Sequence, residues 1–278
     1  MAFLRTEAIV IKAINLREAD KIITFFSRDY GKIQGIAKGI RKIKARYSGK
    51  LELFTRVHVI FFQKKETLQH KGFAGSSTLL RITQVDVVEV FPQLKNDFNK
   101  IIGASYITEF LNKLFEEHDN THKEVYFLVC DTFRTLAASE NLRNILPAFE
   151  IKLLAHLGYA PILDRCTVCG GKVEGERQKA KGEASCELLP GFSSSTGGVL
   201  CQRCKPLKKD TIDISLQSVN MLRQFLHTQM KQVPTIPMPK GTFHEIKTLL
   251  TNHFQYHVGI SLKTEAFVQK LRAARLTG

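Results

Sequence analysis

Four of the six cysteines in this 278-residue chain fall in two close pairs, Cys166 and Cys169 within RCTVCGG and Cys201 and Cys204 within LCQRCK, with 31 residues between the pairs. A two-residue gap lets both sulfurs of a pair turn toward one ion, and two such pairs complete a tetrahedral set of thiolates. The pattern predicts a structural Zn2+ site, one per chain, because four sulfurs close the coordination shell and leave no position for water or substrate. Gly170 and Gly171, followed by Lys172, permit the tight turn that the first pair requires. The linker exceeds the roughly 15–20 residues usual for this pattern, but its middle, EGERQKAKGEAS, is strongly polar and reads as a solvated insertion that adds little closure cost. Four reduced, unligated thiols would leave the segment without a core of its own, and a redox dithiol would sit at a helix start after a strand. Cys186, inside the insertion, could replace one ligand but lacks a neighbouring partner; Cys130, in VYFLVCDTF, reads as a small buried hydrophobe.

A second constellation is electrostatic. The segment KIQGIAKGIRKIKARYSGK carries Lys32, Lys38, Arg41, Lys42, Lys44, Arg46 and Lys50 and no acid. Of the net charge of +15, the first 80 residues hold +10, from 16 basic and 6 acidic side chains. Such a local excess calls for a polyanionic partner, nucleic acid or an anionic membrane at this level of reading. A loop kept soluble by its lysines is the ordinary alternative. Against it stand the missing acids, the glycines that let backbone approach a ligand, and the nearby Tyr30, Tyr47 and Phe54, which together favour phosphate neutralisation with base stacking. Phe25, Phe26, Phe61 and Phe62 alternate like core residues.

These groups need a scaffold. Within residues 1–80, short runs rich in β-branched and aromatic residues predict strands at Glu7–Ala13, Lys21–Ser27, Lys32–Ala37, Val57–Gln63 and Thr67–Phe73, punctuated by glycines. Five short strands suit a small closed barrel, OB-fold or SH3-like. From Phe91 the period becomes helical, with Phe98, Ile101, Ile102, Ile107, Phe110, Leu111 and Leu114 at spacings of three and four, and further helices are expected at Lys123–Ala138, Ile145–Leu157, Ser215–Met230, Thr242–His257 and Lys263–Leu276. Pro92, Pro147 and VPTIPMP mark starts or breaks. The expected class is multidomain α+β: an OB-fold β-barrel at 1–80, an α-helical domain at 81–162 and 206–278, and a four-cysteine zinc ribbon inserted at 163–205.

No phosphate-cradling G-x-x-x-x-G-K-[ST] or G-x-G-x-x-G motif occurs, nor H-E-x-x-H. His118 and His122, and His253 and His257, lie four apart, but the first pair falls in an interhelical loop and the second has no general base between its members, so structural roles are expected and no catalytic residue is nominated. The opening residues lack a secretory pattern, and no stretch reaches the roughly 18 apolar residues of a membrane span. A cytoplasmic protein is expected, where closely paired thiols bind metal rather than form disulfides. Another zinc-ribbon nucleic-acid-binding protein, RNA- or ribosome-associated, is the alternative function at this level.

Three stretches in order, TEAIVIKAINLREADKIITFFSRDYGKIQGIAKGIRK, FEIKLLAHLGYAPILDRCTVCG and FSSSTGGVLCQRC, resemble the bacterial RecO family of DNA repair and recombination mediator proteins. The resemblance implies an N-terminal OB-fold, a helical body and a zinc ribbon emerging from it. It implies binding of single- and double-stranded DNA, annealing of complementary strands coated by single-strand binding protein, and help to RecR in loading RecA, without nucleotide hydrolysis and beside the nucleoid. By position it puts the family's basic surface on Lys32 to Lys50 and its zinc ligands on Cys166, Cys169, Cys201 and Cys204. The polar insertion between the two pairs departs from the family pattern.

Overall fold

The computed structural model describes residues 2–42, 47, 49–63, 79–173, 190–260 and 262–264. Five strands, β1 (Ala2–Leu16), β2 (Asp20–Ser27), β3 (Gly31–Ala37), β4 (Arg56–Gln63) and β5 (Leu80–Glu89), close a barrel in the order β1-β2-β3-β5-β4. All pairings are antiparallel except β3 with β5. The short β3–β5 pair closes the ring, so no barrel strand is left without a neighbour on either side. Alternate residues point inward: Ala8 and Val10 from β1, Ile23 and Phe25 from β2, Ile33 and Ala37 from β3, Val57, Val59 and Phe61 from β4, Leu80, Ile82 and Val85 from β5. Phe25 and Phe61 meet edge to face at 5.4 Å, an arrangement that adds about 1 kcal/mol beyond burial.

The barrel is the OB-like member of the two barrels expected from the sequence, and its fifth strand is one the sequence reading did not mark. The expected run Thr67–Phe73 lies outside the described residues, whereas β5 occupies the stretch just before the helices. Its inward positions, Leu80, Ile82 and Val85, change phase where the ladder shifts between Ile60 and Phe61. A bulge of this kind breaks the period-two signal that identifies a strand.

Contacts divide the chain into two compact units, residues 1–138 with 262–278, and residues 139–261. In the first, α1 (Pro92–Asn96), α2 (Phe98–Leu114) and α3 (Lys123–Ala138) pack with the barrel. Asp97 caps α2 by accepting from the backbone N–H groups of Asn99 and Lys100. Arg56 of β4 joins Glu7, Glu89 and the Tyr126 hydroxyl, tying α3 to the strands. The C-terminal Lys263 and Thr264 donate to the Glu109 carboxylate on α2.

In the second unit α4 (Ile145–His156) buries residues on every side, including Ile145, Phe149, Ile151, Leu153 and Leu154, as a central helix must. Against it pack α5 (Leu216–His227) and α6 (Thr242–Val258), and a small sheet of β6 (Gly191–Ser193), β7 (Gly198–Leu200) and β8 (Thr211–Asp213), in the order β7-β6-β8, meets α6 through Phe192 and His253. VPTIPMP begins in the last turn of a 3-10 helix (Met230–Thr235) whose C-cap is Ile236, and buried Asn144 holds this end by donating to the carbonyls of Val233 and Ile236. Of the last expected helix only residues 263 and 264 are described.

Candidate metal centre and nucleic-acid interface

The first cysteine pair sits on a tight hairpin. Arg165 bridges Lys172, Cys166 N–H donates to the Gly171 carbonyl, and Gly170 N–H returns to the Cys166 carbonyl. Gly170 takes φ 73°, the left-handed value that glycine adopts without strain. The second pair follows β7, where Cys204 and Lys205 N–H both donate to the Cys201 carbonyl. Backbone bonds then join the two loops: Ile162 N–H to Gly197 O, Val199 N–H to Ile162 O and Thr167 N–H to Val199 O. The approach requires glycine at 198, since a Cβ there would lie 2.3 Å from the Ile162 carbonyl oxygen.

These contacts bring the sulfurs of Cys166, Cys169, Cys201 and Cys204 within 4.8 Å of one another, the one cluster of three or more metal-ligating side chains among the described residues. Cys169 and Cys201 sulfurs lie 3.8 Å apart, the edge of a tetrahedron drawn with metal–sulfur bonds of about 2.3 Å. Burial disfavours the Cys166 thiolate, yet backbone N–H groups of Cys169, Cys201 and Val168 aimed at its sulfur outweigh this and draw its pKa below the ordinary thiol value. Cys204 is pushed up to about 12, by burial first and then by the three neighbouring sulfurs. A cation at the centre would reverse that mutual penalty, because a coordinating thiol is deprotonated. The geometry and donor chemistry therefore fit a metal ion held by four thiolates. Cys186 lies outside the described residues, and Cys130 is buried on α3, its thiol pushed up to about 11 by burial.

Two supports escaped sequence reasoning. Asp210 accepts from Ser193 Oγ at 2.9 Å and from the N–H and Oγ of Ser195, fixing the β6–β7 turn. Arg223 of α5 donates to the carbonyls of Leu163 and Val173 on either side of the first hairpin. Only spatial neighbours reveal these roles; nothing in the local spacing of SSSTGG or of LRQF marks them.

In the barrel, Lys38, Arg41 and Lys42 are exposed at the end of β3. The β1–β2 turn brings exposed Arg17 beside them, with Arg41 donating to the Arg17 carbonyl. Arg17 is a cation that the basic run in the sequence did not include. Lys32 is held differently: its ammonium donates to the Asn112 carbonyl at 2.8 Å, and burial lowers its pKa below the usual lysine value. Lys50 donates to the Val85 carbonyl and lies 4.0 Å from Asp86. Lys44 and Arg46 lie outside the described residues. The aromatics near the loop face inward: Tyr47 and Phe54 are buried and Tyr30 packs against the barrel core. Phe25, Phe26 and Phe61 are core as expected, but Phe62 points outward and is only half-buried.

Of the histidine pairs, His118 and His122 lie in the loop before α3, with His122 against Phe115 and Asp119. His253 is buried, bonds the Tyr159 carbonyl at 3.0 Å and packs against His257 at 4.3 Å between ring centres. No helix among the described residues is long and apolar enough to cross a membrane.

An OB-like barrel, a helical part and four convergent cysteines define the class of protein: a small closed barrel joined to helices that carry a cluster able to hold a metal ion. Family models for the recombination protein O N terminal and C terminal match residues 1–71 and 95–266. The DNA repair protein RecO of Caldanaerobacter subterraneus subsp. tengcongensis is 31% identical over 98% of this chain and 99% of its own. Those of Pelotomaculum thermopropionicum and Halalkalibacterium halodurans are each 28% identical, over 99% and 98% of this chain and 96% of their own. The chain belongs to the RecO family of DNA repair proteins.

Proposed function

We propose that the protein is a non-enzymatic recombination mediator: it binds single- and double-stranded DNA, anneals complementary strands coated by single-strand binding protein, and helps RecR load RecA in the bacterial cytoplasm. The observation that carries this reading is the exposed cluster of Arg17, Lys38, Arg41 and Lys42 at one end of a closed OB-like barrel, in a chain of net charge +15. Two complementary strands repel along their backbones, and a cationic surface that neutralises phosphates on both lowers the barrier to pairing. Lys44 and Arg46 extend the same run; Lys32 and Lys50, engaged with carbonyls, contribute less. The four-cysteine cluster holds one structural Zn2+, whose role is to staple the ribbon.

The test is annealing of complementary oligonucleotides coated with single-strand binding protein, without ATP, on protein of measured zinc content. Salt-sensitive annealing at about one zinc per chain is the expected result. Zinc without DNA binding would leave a metal-stapled interaction protein instead.

A further inference from the structure

The outer face of β4 carries a feature that the basic end does not explain. Phe3 of β1 pairs with Phe62 of β4, and Phe62 pairs in turn with Arg81 of β5; one row along, Arg5 pairs with Ile60, and Ile60 with Gln84. Residues two apart on a strand share a face, and the ladder shift between Ile60 and Phe61 keeps Gln84 in phase with Arg81, so these six side chains form one patch on three hydrogen-bonded strands. Phe3 is 60% exposed, and its ring lies 5.5 Å from that of half-buried Phe62. Arg5 and Arg81 are both exposed, and neither has an ion pair among the described residues. The acids of this face, Glu7 and Asp86, lie further along, flanking His58.

Exposing a phenylalanine forfeits about 1.5–3 kcal/mol of available burial, and the pairing of Phe3 with Phe62 puts its ring on the outer face of the barrel. Aromatic faces flanked by unpaired guanidiniums are the ingredients of sequence-tolerant single-strand binding, with rings for the bases and cations for the phosphates. In OB-type barrels nucleic acid occupies the strand 2–3 face and adjoining loops. Here part of that face is occupied: Phe115 packs on Phe26, Glu117 accepts from Gln34, and Lys32 bonds Asn112. In a ring ordered β1-β2-β3-β5-β4, β4 lies across the barrel from β2 and β3.

We infer that the β1–β4–β5 face is a second nucleic-acid site, on which a single strand stacks bases on Phe3 and Phe62 while Arg5 and Arg81 bind its phosphates. The inference rests on the DNA-binding reading and extends it. One strand at the Arg17–Lys42 end and one on β4 give an annealing protein two tracks on a single barrel.

The chain contains no tryptophan, so Phe3→Trp introduces a single indole emitter at the patch. Titrated with oligothymidylate, its emission is expected to quench, and to do so still when Lys38, Arg41 and Lys42 are alanine. Phe3→Leu with Phe62→Leu preserves apolar packing while removing the aromatic faces; it should weaken oligothymidylate binding about tenfold and leave binding of an abasic oligomer of equal length unchanged. Arg5→Ala with Arg81→Ala should lower the salt slope by about one to two units. Unchanged indole emission while a labelled strand binds by anisotropy would overturn this site and leave the DNA-binding reading standing. Absence of any strand binding would remove that reading and the site together. Emission already blue-shifted without DNA would also overturn the site: dependence on protein concentration would identify a second copy as the occupant, and independence would identify the chain itself.

Discussion

At Cys166 burial and hydrogen bonding oppose each other, and the bonds win: three backbone N–H groups and the Cys169 side chain draw its pKa below the ordinary thiol value. Serine at 201 retains the shape and removes the soft ligand, so Cys201→Ser should reduce zinc affinity by more than about 100-fold, beyond the 10–100-fold cost of disturbing supporting groups. Competition with a chromogenic chelator measures this. His253 shows the converse balance. Burial outweighs its bond to Tyr159 and lowers its pKa from 6.5 to about 4, so the folded state keeps it neutral. The unfolded chain then binds the extra proton as pH falls from 6.5 toward 4; His253 therefore adds stability above this window and loses it on acidification. His253→Gln keeps a donor toward the Tyr159 carbonyl and does not titrate. Its stability in urea should be flatter between these pH values than that of the parent, and parallel curves would assign the acid sensitivity to another group.

Among the elements, α2 receives the returning chain through one carboxylate. Burial raises the Glu109 pKa, but bonds from Thr264, Lys263 and Lys113 outweigh it and hold the group at about 2 against an ordinary 4.5. The stabilisation is complete above 4.5 and is lost as pH falls through 2. Glu109→Gln should loosen residues 262–264 by about 2 kcal/mol, the value of charge-assisted bonds, seen as faster amide exchange at Lys263 and Thr264 at neutral pH. If exchange there is unchanged, apolar packing anchors this segment. Strand β5 illustrates how an element can escape notice: a ladder shift moves its inward set from Ile82 to Val85, which destroys alternation in the sequence while preserving closure in space.

For the whole molecule, charge is distributed unevenly, with +10 of +15 in the first 80 residues. We expect Lys38→Ala, Arg41→Ala and Lys42→Ala together to reduce the salt slope of DNA binding by about two to three units, since each cation releases roughly one counterion. Affinity should fall almost equally for all sequences. An unchanged slope would move the phosphate-binding surface elsewhere on the molecule.

By itself the sequence marked the four cysteines that the fold brings together, α3 and α4 almost to the residue, and four of the five barrel strands. These signals are local: a two-residue gap between thiols, a helical period, alternation between glycines. Tertiary structure alone decided which cations are free and which are engaged. Lys32 and Lys38 look alike in KIQGIAKGI, but one bonds a carbonyl 80 positions away while the other stands exposed. It also turned Tyr47 and Phe54 into the core and Phe3 with Phe62 outward. Burial is a property of what packs on a residue, and that comes from distant parts of the chain that no local spacing records.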